Sequence, residues 1–91
     1  MRESTIERYL HQQVTKAGGT TRKFVSPGHK DVPDRIVIWP LAGVHFVETK
    51  APGKKPRAGQ LREHARLRKL GCTVLTIESP KEVDTYVWGR E

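Results

Sequence analysis

The chain has 91 residues, 17 Lys/Arg against ten Asp/Glu for a formal net charge of +7, and one cysteine, Cys72. That length supports a single domain with one small core, expected over residues 1–91. A lone cysteine excludes an internal disulfide and a zinc site built on several thiolates, and no stretch reaches the roughly 20 apolar residues of a membrane span. The polar N-terminus MRESTIERYL is unlike a secretory signal, so an intracellular, cytoplasmic protein is expected (the host cytoplasm for a phage-encoded one). The basic surplus suggests a polyanionic partner, nucleic acid foremost. A surface that is basic only for solubility accounts for it equally well.

A helical pattern runs over about residues 5–17, with Ile6, Leu10, Val14 and Ala17 at helix spacing and Gly18-Gly19 closing it. TTRKFVS reads as a strand ended by Pro27-Gly28, and SPGHKDVP is a loop. Residues 34–39 and 44–50 alternate and are rich in β-branched and aromatic side chains, a hairpin turning at 40–43. APGKKP is a basic loop, and residues 57–70 form a helix with Leu61 and Ala65 expected inward, stopped at Gly71. CTVLTI is a short buried strand, and Ser79-Pro80 opens a last helix, PKEVDTYVW, as N-cap and first turn. The order α, β, β, β, α, β, α is packed economically as one sheet with helices on its faces.

The hairpin carries the chemistry. Side chains alternate faces along a strand, so Asp34, Ile36 and Ile38 share one face, and so do Val44, Phe46, Glu48 and Lys50. Pairing Ile36 with Phe46 and Ile38 with Val44 buries the four apolar residues together. That register sets Asp34 across from Glu48, about 5 Å apart at Cβ, whereas a one-residue slip would turn one apolar set to the other face. Bare carboxylates at that distance repel, so the pair suggests a bound divalent cation, and oxygen ligands suit magnesium or manganese. An inert Asp–Lys–Glu ion network at the sheet's end is the competing account. Pro33 before Asp34, the basic loop after Lys50 and the carboxylates of the first helix weigh against it. His11, His29, His45 and His64 show no metal-ligand spacing.

Pro33-Asp34 followed by Glu48-Thr49-Lys50 after a hairpin resembles the PD-(D/E)xK nuclease superfamily. Within it, GHKDVPDRIVIWP, VHFVETKAPGKKPRAGQ and LRKLGCTVLTI resemble the VRR-NUC (virus-type replication-repair nuclease) family, in its stand-alone, phage-like form. The resemblance extends from Glu3 to about Val83; Val32 stands where a glycine is common. It implies an α/β, restriction-endonuclease-like αβββαβ core, a central mixed sheet flanked by helices, and metal-dependent phosphodiester hydrolysis with Mg2+, for which Mn2+ substitutes. It also implies that Asp34 and Glu48 bind the metal, with the Thr49 carbonyl as a further ligand. Lys50 contacts the scissile phosphate or positions the attacking water, and Gln60 orients Lys50 or that water. A helix-one carboxylate completes such sites; Glu7, mid-helix, is the choice over Glu3, which sits where it could simply favour the helix N-terminus.

Basic residues bracket the motif: Arg22, Lys23, His29 and Lys30 before it, Lys54, Lys55 and Arg57 after it, and Arg62, Arg66 and Lys69 as a stripe on the following helix. Such side chains position phosphates without reading bases, which points to structure-selective cutting; a solvated helix face is the alternative for the stripe. The resemblance further implies a homodimer acting on branched DNA such as Holliday junctions, with Tyr9, Trp39 and Trp88 available for an apolar interface. The competing functions are a flap- or end-processing nuclease of a replication-repair complex, a non-catalytic nucleic-acid-binding module on a nuclease fold, and a small basic RNA-binding domain.

Overall fold

Helix α1, Glu3–Lys16, buries Ile6, Leu10 and Val14 completely, each one turn from the next. It ends where Gly18 takes a left-handed φ of 96° and the amides of residues 17–19 turn back onto carbonyls of the last turn. Strands β1 (Thr20–Lys23), β2 (Arg35–Trp39) and β3 (Gly43–Thr49) run antiparallel in succession. Helix α2, Ala58–Lys69, carries the chain over to β4 (Thr73–Ile77), which lies parallel to β3. Helix α3, Pro80–Trp88, starts with the Ser79 hydroxyl accepting from the Glu82 amide at 3.1 Å. The sheet order is β1-β2-β3-β4, the mixed, helix-flanked α/β core that the family resemblance implied. The computed structural model describes residues 1–89; the last two residues of the expected 1–91 unit lie outside the described residues. Among them no helix is long and apolar enough to cross a membrane.

The hairpin register is the one the apolar pattern predicts: Ile36 pairs with Phe46 and Ile38 with Val44. The buried face differs from expectation. The core joins Val37, Trp39, Val47 and Ile77 to α1 and to Val83 and Val87 of α3, on the opposite side of the sheet. On the Ile36–Phe46 face Ile38 is 40 % and Val44 48 % exposed, and Phe46 is half-buried against Phe24 at 5.5 Å. The physical reason is that both faces of β2 and β3 are apolar. One register aligns both sets, so the pattern determines the pairing but not the side that the helices cover.

Helix α2 packs on this second face, and its inner side is polar: Gln60, Glu63 and His64 are buried, while Leu61 and Ala65 point to solvent. The expectation that Leu61 and Ala65 face inward is therefore corrected. Trp39 is likewise a core residue rather than an interface one, its indole N–H donating to the Tyr86 hydroxyl at 2.8 Å. Trp88 remains half-exposed and donates to Gln13, and Tyr9 donates to Asp84.

Candidate active site

Pro33, fully buried, delivers the chain into Asp34 at the mouth of β2. Asp34 Oδ2 accepts from both the amide and the hydroxyl of Thr49, each at 3.1 Å. Arg35 pairs with Val47, so one step further along the ladder Asp34 stands across from Glu48. Glu48 is 1 % exposed. Its Oε2 accepts from the Gln60 side-chain amide at 3.3 Å and lies 3.8 Å from Lys50 Nζ. Its Oε1 is enclosed without a hydrogen-bond partner, 3.6 Å from His64 Nε2.

Burial pushes the Glu48 carboxyl up to about 8, helped by the charge of Asp34 and a hydrogen bond with it, and opposed by Lys50. A second carboxylate beside it makes the ionised form of Glu48 costlier still. Glu3, in the first turn of α1, belongs to the same electrostatic group: its carboxyl is raised by burial and then by Asp34, with Lys50 pulling the other way. Glu7, one turn on, instead accepts from Arg35 at 3.4 Å and lies 3.8 Å from Lys23 Nζ.

Asp34, Glu48, Thr49, Lys50 and Gln60 thus converge at one end of the sheet. Among the described residues no cluster of three or more His, Cys, Asp or Glu side chains is gathered to hold a metal ion. A pair of carboxylates nevertheless fits magnesium, which is commonly held by one or two carboxylates and keeps several waters.

On α2, Gln60 is the expected site residue but holds Glu48 instead of Lys50, and His64 is a further residue that the sequence did not single out. Gln60 caps the start of the helix, its Oε1 accepting from the Arg57 amide at 2.8 Å while its Nε2 donates to Glu48. His64, one turn later, reaches the same carboxylate. The i, i+4 spacing of Gln60 and His64, which puts them on one side of the helix, is the signal the sequence carries for it.

The basic residues divide into two groups. His29, Lys30, Arg62 and Arg66 line a cleft of about 310 Å3 between the 27–31 loop and α2. Glu63 sits among them, bonded to His29 at 2.8 Å and to Arg66 at 2.8 and 3.0 Å, and these partners, His29 first, hold its carboxyl below the usual range. The loop is pinned by Asp31, at φ 68°, which accepts from Arg57 at 3.2 Å and occupies the space a side chain at Gly59 would need. Lys55 pairs with Glu78 at 3.3 Å. Lys30, Lys54 and Arg62 make no ion pair among the described residues.

No family model matches the chain. It is 53 % identical over 79 residues to "Putative nuclease p44" of Acyrthosiphon pisum secondary endosymbiont phage 1, an alignment covering 87 % of this chain and 85 % of the relative. A solved structure of a VRR_NUC domain matches it with a TM-score of 0.89 at 36 % identity, over 98 % of this chain and 97 % of the other. These likenesses define a nuclease domain, and the chain belongs to the VRR-NUC family.

Proposed function

We propose that this nuclease is a divalent-metal-dependent, structure-selective DNA endonuclease that acts as a homodimer on branched DNA such as Holliday junctions. The observation that carries the metal is the Asp34–Glu48 pair. Two facing acids, the Glu48 carboxyl pushed up by burial and by Asp34, are an unfavourable arrangement that a divalent cation would relieve. Asp34 and Glu48 would hold Mg2+, or Mn2+ in its place, with the Thr49 carbonyl as a further oxygen ligand. When bound, the cation supplies charge neutralisation at the phosphate and acidifies a water.

The chain's own groups do the rest. The Thr49 amide and hydroxyl hold Asp34, and Gln60 holds Glu48. Lys50 supplies a fixed positive charge where negative charge grows on the phosphate. For the helix-one carboxylate this reading takes Glu3 in place of the expected Glu7: burial and then the charge of Asp34 raise the Glu3 carboxyl, whereas Glu7 is engaged by Arg35 and Lys23.

Lys23, His29, Lys30, Lys54, Lys55, Arg57, Arg62 and Arg66 would contact the DNA backbone. The cleft along α2 is lined by His29, Lys30, Arg62 and Arg66, and Lys30, Lys54 and Arg62 make no ion pair among the described residues. Backbone contacts carry no base information, which favours selection by shape. A symmetric pair would present two sites to two strands, and the half-exposed Ile38 and Val44, with the fully exposed Leu41 in the turn between them, offer the apolar surface for it.

The test is cleavage of labelled four-way junction, flap, duplex and single-stranded DNA in Mg2+, Mn2+ or EDTA, with Lys50→Ala alongside. The expected result is paired nicking of the junction that needs the metal and falls about a hundredfold or more in the variant, with binding retained. Cleavage confined to flaps or ends would replace the junction role with end processing. Tight binding with no cleavage in either metal would make the domain a binding module.

A further inference from the structure

We propose that His64 is a positioning residue for Glu48: its Nε2–H holds Oε1 of the carboxylate, leaving Oε2 turned toward Lys50. This rests on the reading of Glu48 as a metal ligand.

His64 is completely buried on the inner face of α2, and neither ring nitrogen has a hydrogen-bond partner. Glu48 Oε1 has none either, and the two residues meet at 3.6 Å. Of the four enclosed side-chain atoms without a partner among the described residues, three belong to this pair. Unsatisfied polar atoms are therefore concentrated at one contact instead of being scattered through the interior. Burying a polar group unpaired is costly, and an apolar side chain of similar volume would remove the cost. The contact makes sense if it tightens when the site is loaded. A small closure would bring Nε2 within hydrogen-bond distance of Oε1.

The helix supplies the geometry. Gln60 and His64 are one turn apart, on the same side of α2. Gln60 meets Oε2 and His64 meets Oε1, so the two together fix the plane of the carboxylate. Oε1 is wholly enclosed, and Oε2 is the oxygen beside Lys50. A neutral imidazole suits the task because it donates without adding a positive charge beside a cation site, and its rigid ring in a closed pocket loses little freedom. Groups that orient a metal-binding side chain in this way commonly change metal affinity or activity 10–100-fold when removed.

The experiment measures Mn2+ affinity by calorimetry on the full chain for wild type, His64→Leu, His64→Gln and His64→Asn. Circular dichroism and melting in EDTA report the fold, and single-turnover cleavage and DNA affinity are followed in parallel. Leucine fills the space without a donor, glutamine carries an N–H at about the reach of Nε2, and asparagine falls one methylene short. The expected result is a loss of about tenfold or more in Mn2+ affinity for His64→Leu and His64→Asn. His64→Gln should stay within about threefold, with DNA affinity unchanged and the EDTA melting temperature of His64→Leu equal to or above wild type. Wild-type Mn2+ affinity in His64→Leu would overturn the proposal, as would an equal loss in His64→Gln and His64→Leu. Should His64→Leu fail to fold, the comparison of glutamine with asparagine decides in the same way. If wild type itself binds no Mn2+, the metal-dependent reading of the site falls and this proposal falls with it; if wild type binds and the His64 variants are indifferent, only this proposal falls.

Discussion

Glu48 is the residue in which fold and chemistry oppose each other. Its burial and its contact with Asp34 raise the carboxyl from 4.5 to about 8. Between those values the folded chain keeps a proton that the unfolded chain has released, so stability falls as pH rises. His64 acts in the other sense: burial lowers it from 6.5, so stability rises with pH up to 6.5 and is unaffected by His64 above it. The expected outcome in EDTA is a melting temperature that declines from pH 6.5 to 8. Glu48→Gln should flatten that decline, and Mg2+ or Mn2+ should reduce it by favouring the ionised pair. A flat wild-type profile in thermal melts across this window would contradict the assignment. At this scale Asp34 opposite Glu48 was legible, because strand alternation and the need to align apolar residues leave one register. His64 was not, because a histidine whose role depends on a carboxylate from another element carries no local signature.

At the scale of elements, α1 and α2 show when periodicity can be trusted. In α1 the apolar stripe Ile6-Leu10-Val14 is the buried stripe. In α2 the buried stripe is Gln60, Glu63 and His64, and the leucine expected to anchor the helix faces water. The site overrides the hydrophobic pattern there, since a helix that supports a carboxylate must turn its polar side inward. Leu10→Ala should therefore cost about 2–5 kcal/mol, and Leu61→Ala should stay within about 0.5 kcal/mol. Urea denaturation of both variants checks the contrast; a large loss for Leu61→Ala would mean that α2 is anchored by its apolar residues after all. The hairpin makes a related point. Its pairing was readable, but its two apolar faces were interchangeable until the three helices were distributed between them.

At the scale of the molecule, α1 and α3 close one side of the sheet while α2 covers mainly the Glu48 end of the other. What remains open is an aliphatic strip at Ile38, Leu41 and Val44. The expected consequence is a dimer in sedimentation equilibrium that Val44→Lys converts to a monomer. Lys50 and the carboxylates lie on the same sheet face as Val44 but at the opposite end of β3, so the variant should retain its fold while losing paired nicking; a dimer unchanged by Val44→Lys would move the interface elsewhere. The aromatic residues suggested a different surface, because a tryptophan is as useful to a core as to an interface. Only the packing of Trp39 against Tyr86 tells the two apart. The central claim is that Asp34 and Glu48 form a metal-dependent hydrolytic site. Its most direct measurement is single-turnover cleavage of a labelled four-way junction by wild type and Asp34→Asn, in Mg2+ and in EDTA, with junction binding measured in parallel. The account predicts cleavage by wild type in Mg2+ alone and a loss of about a hundredfold or more in Asp34→Asn, with binding intact; cleavage that persists in EDTA, or an Asp34→Asn protein that cuts at the wild-type rate, would contradict it.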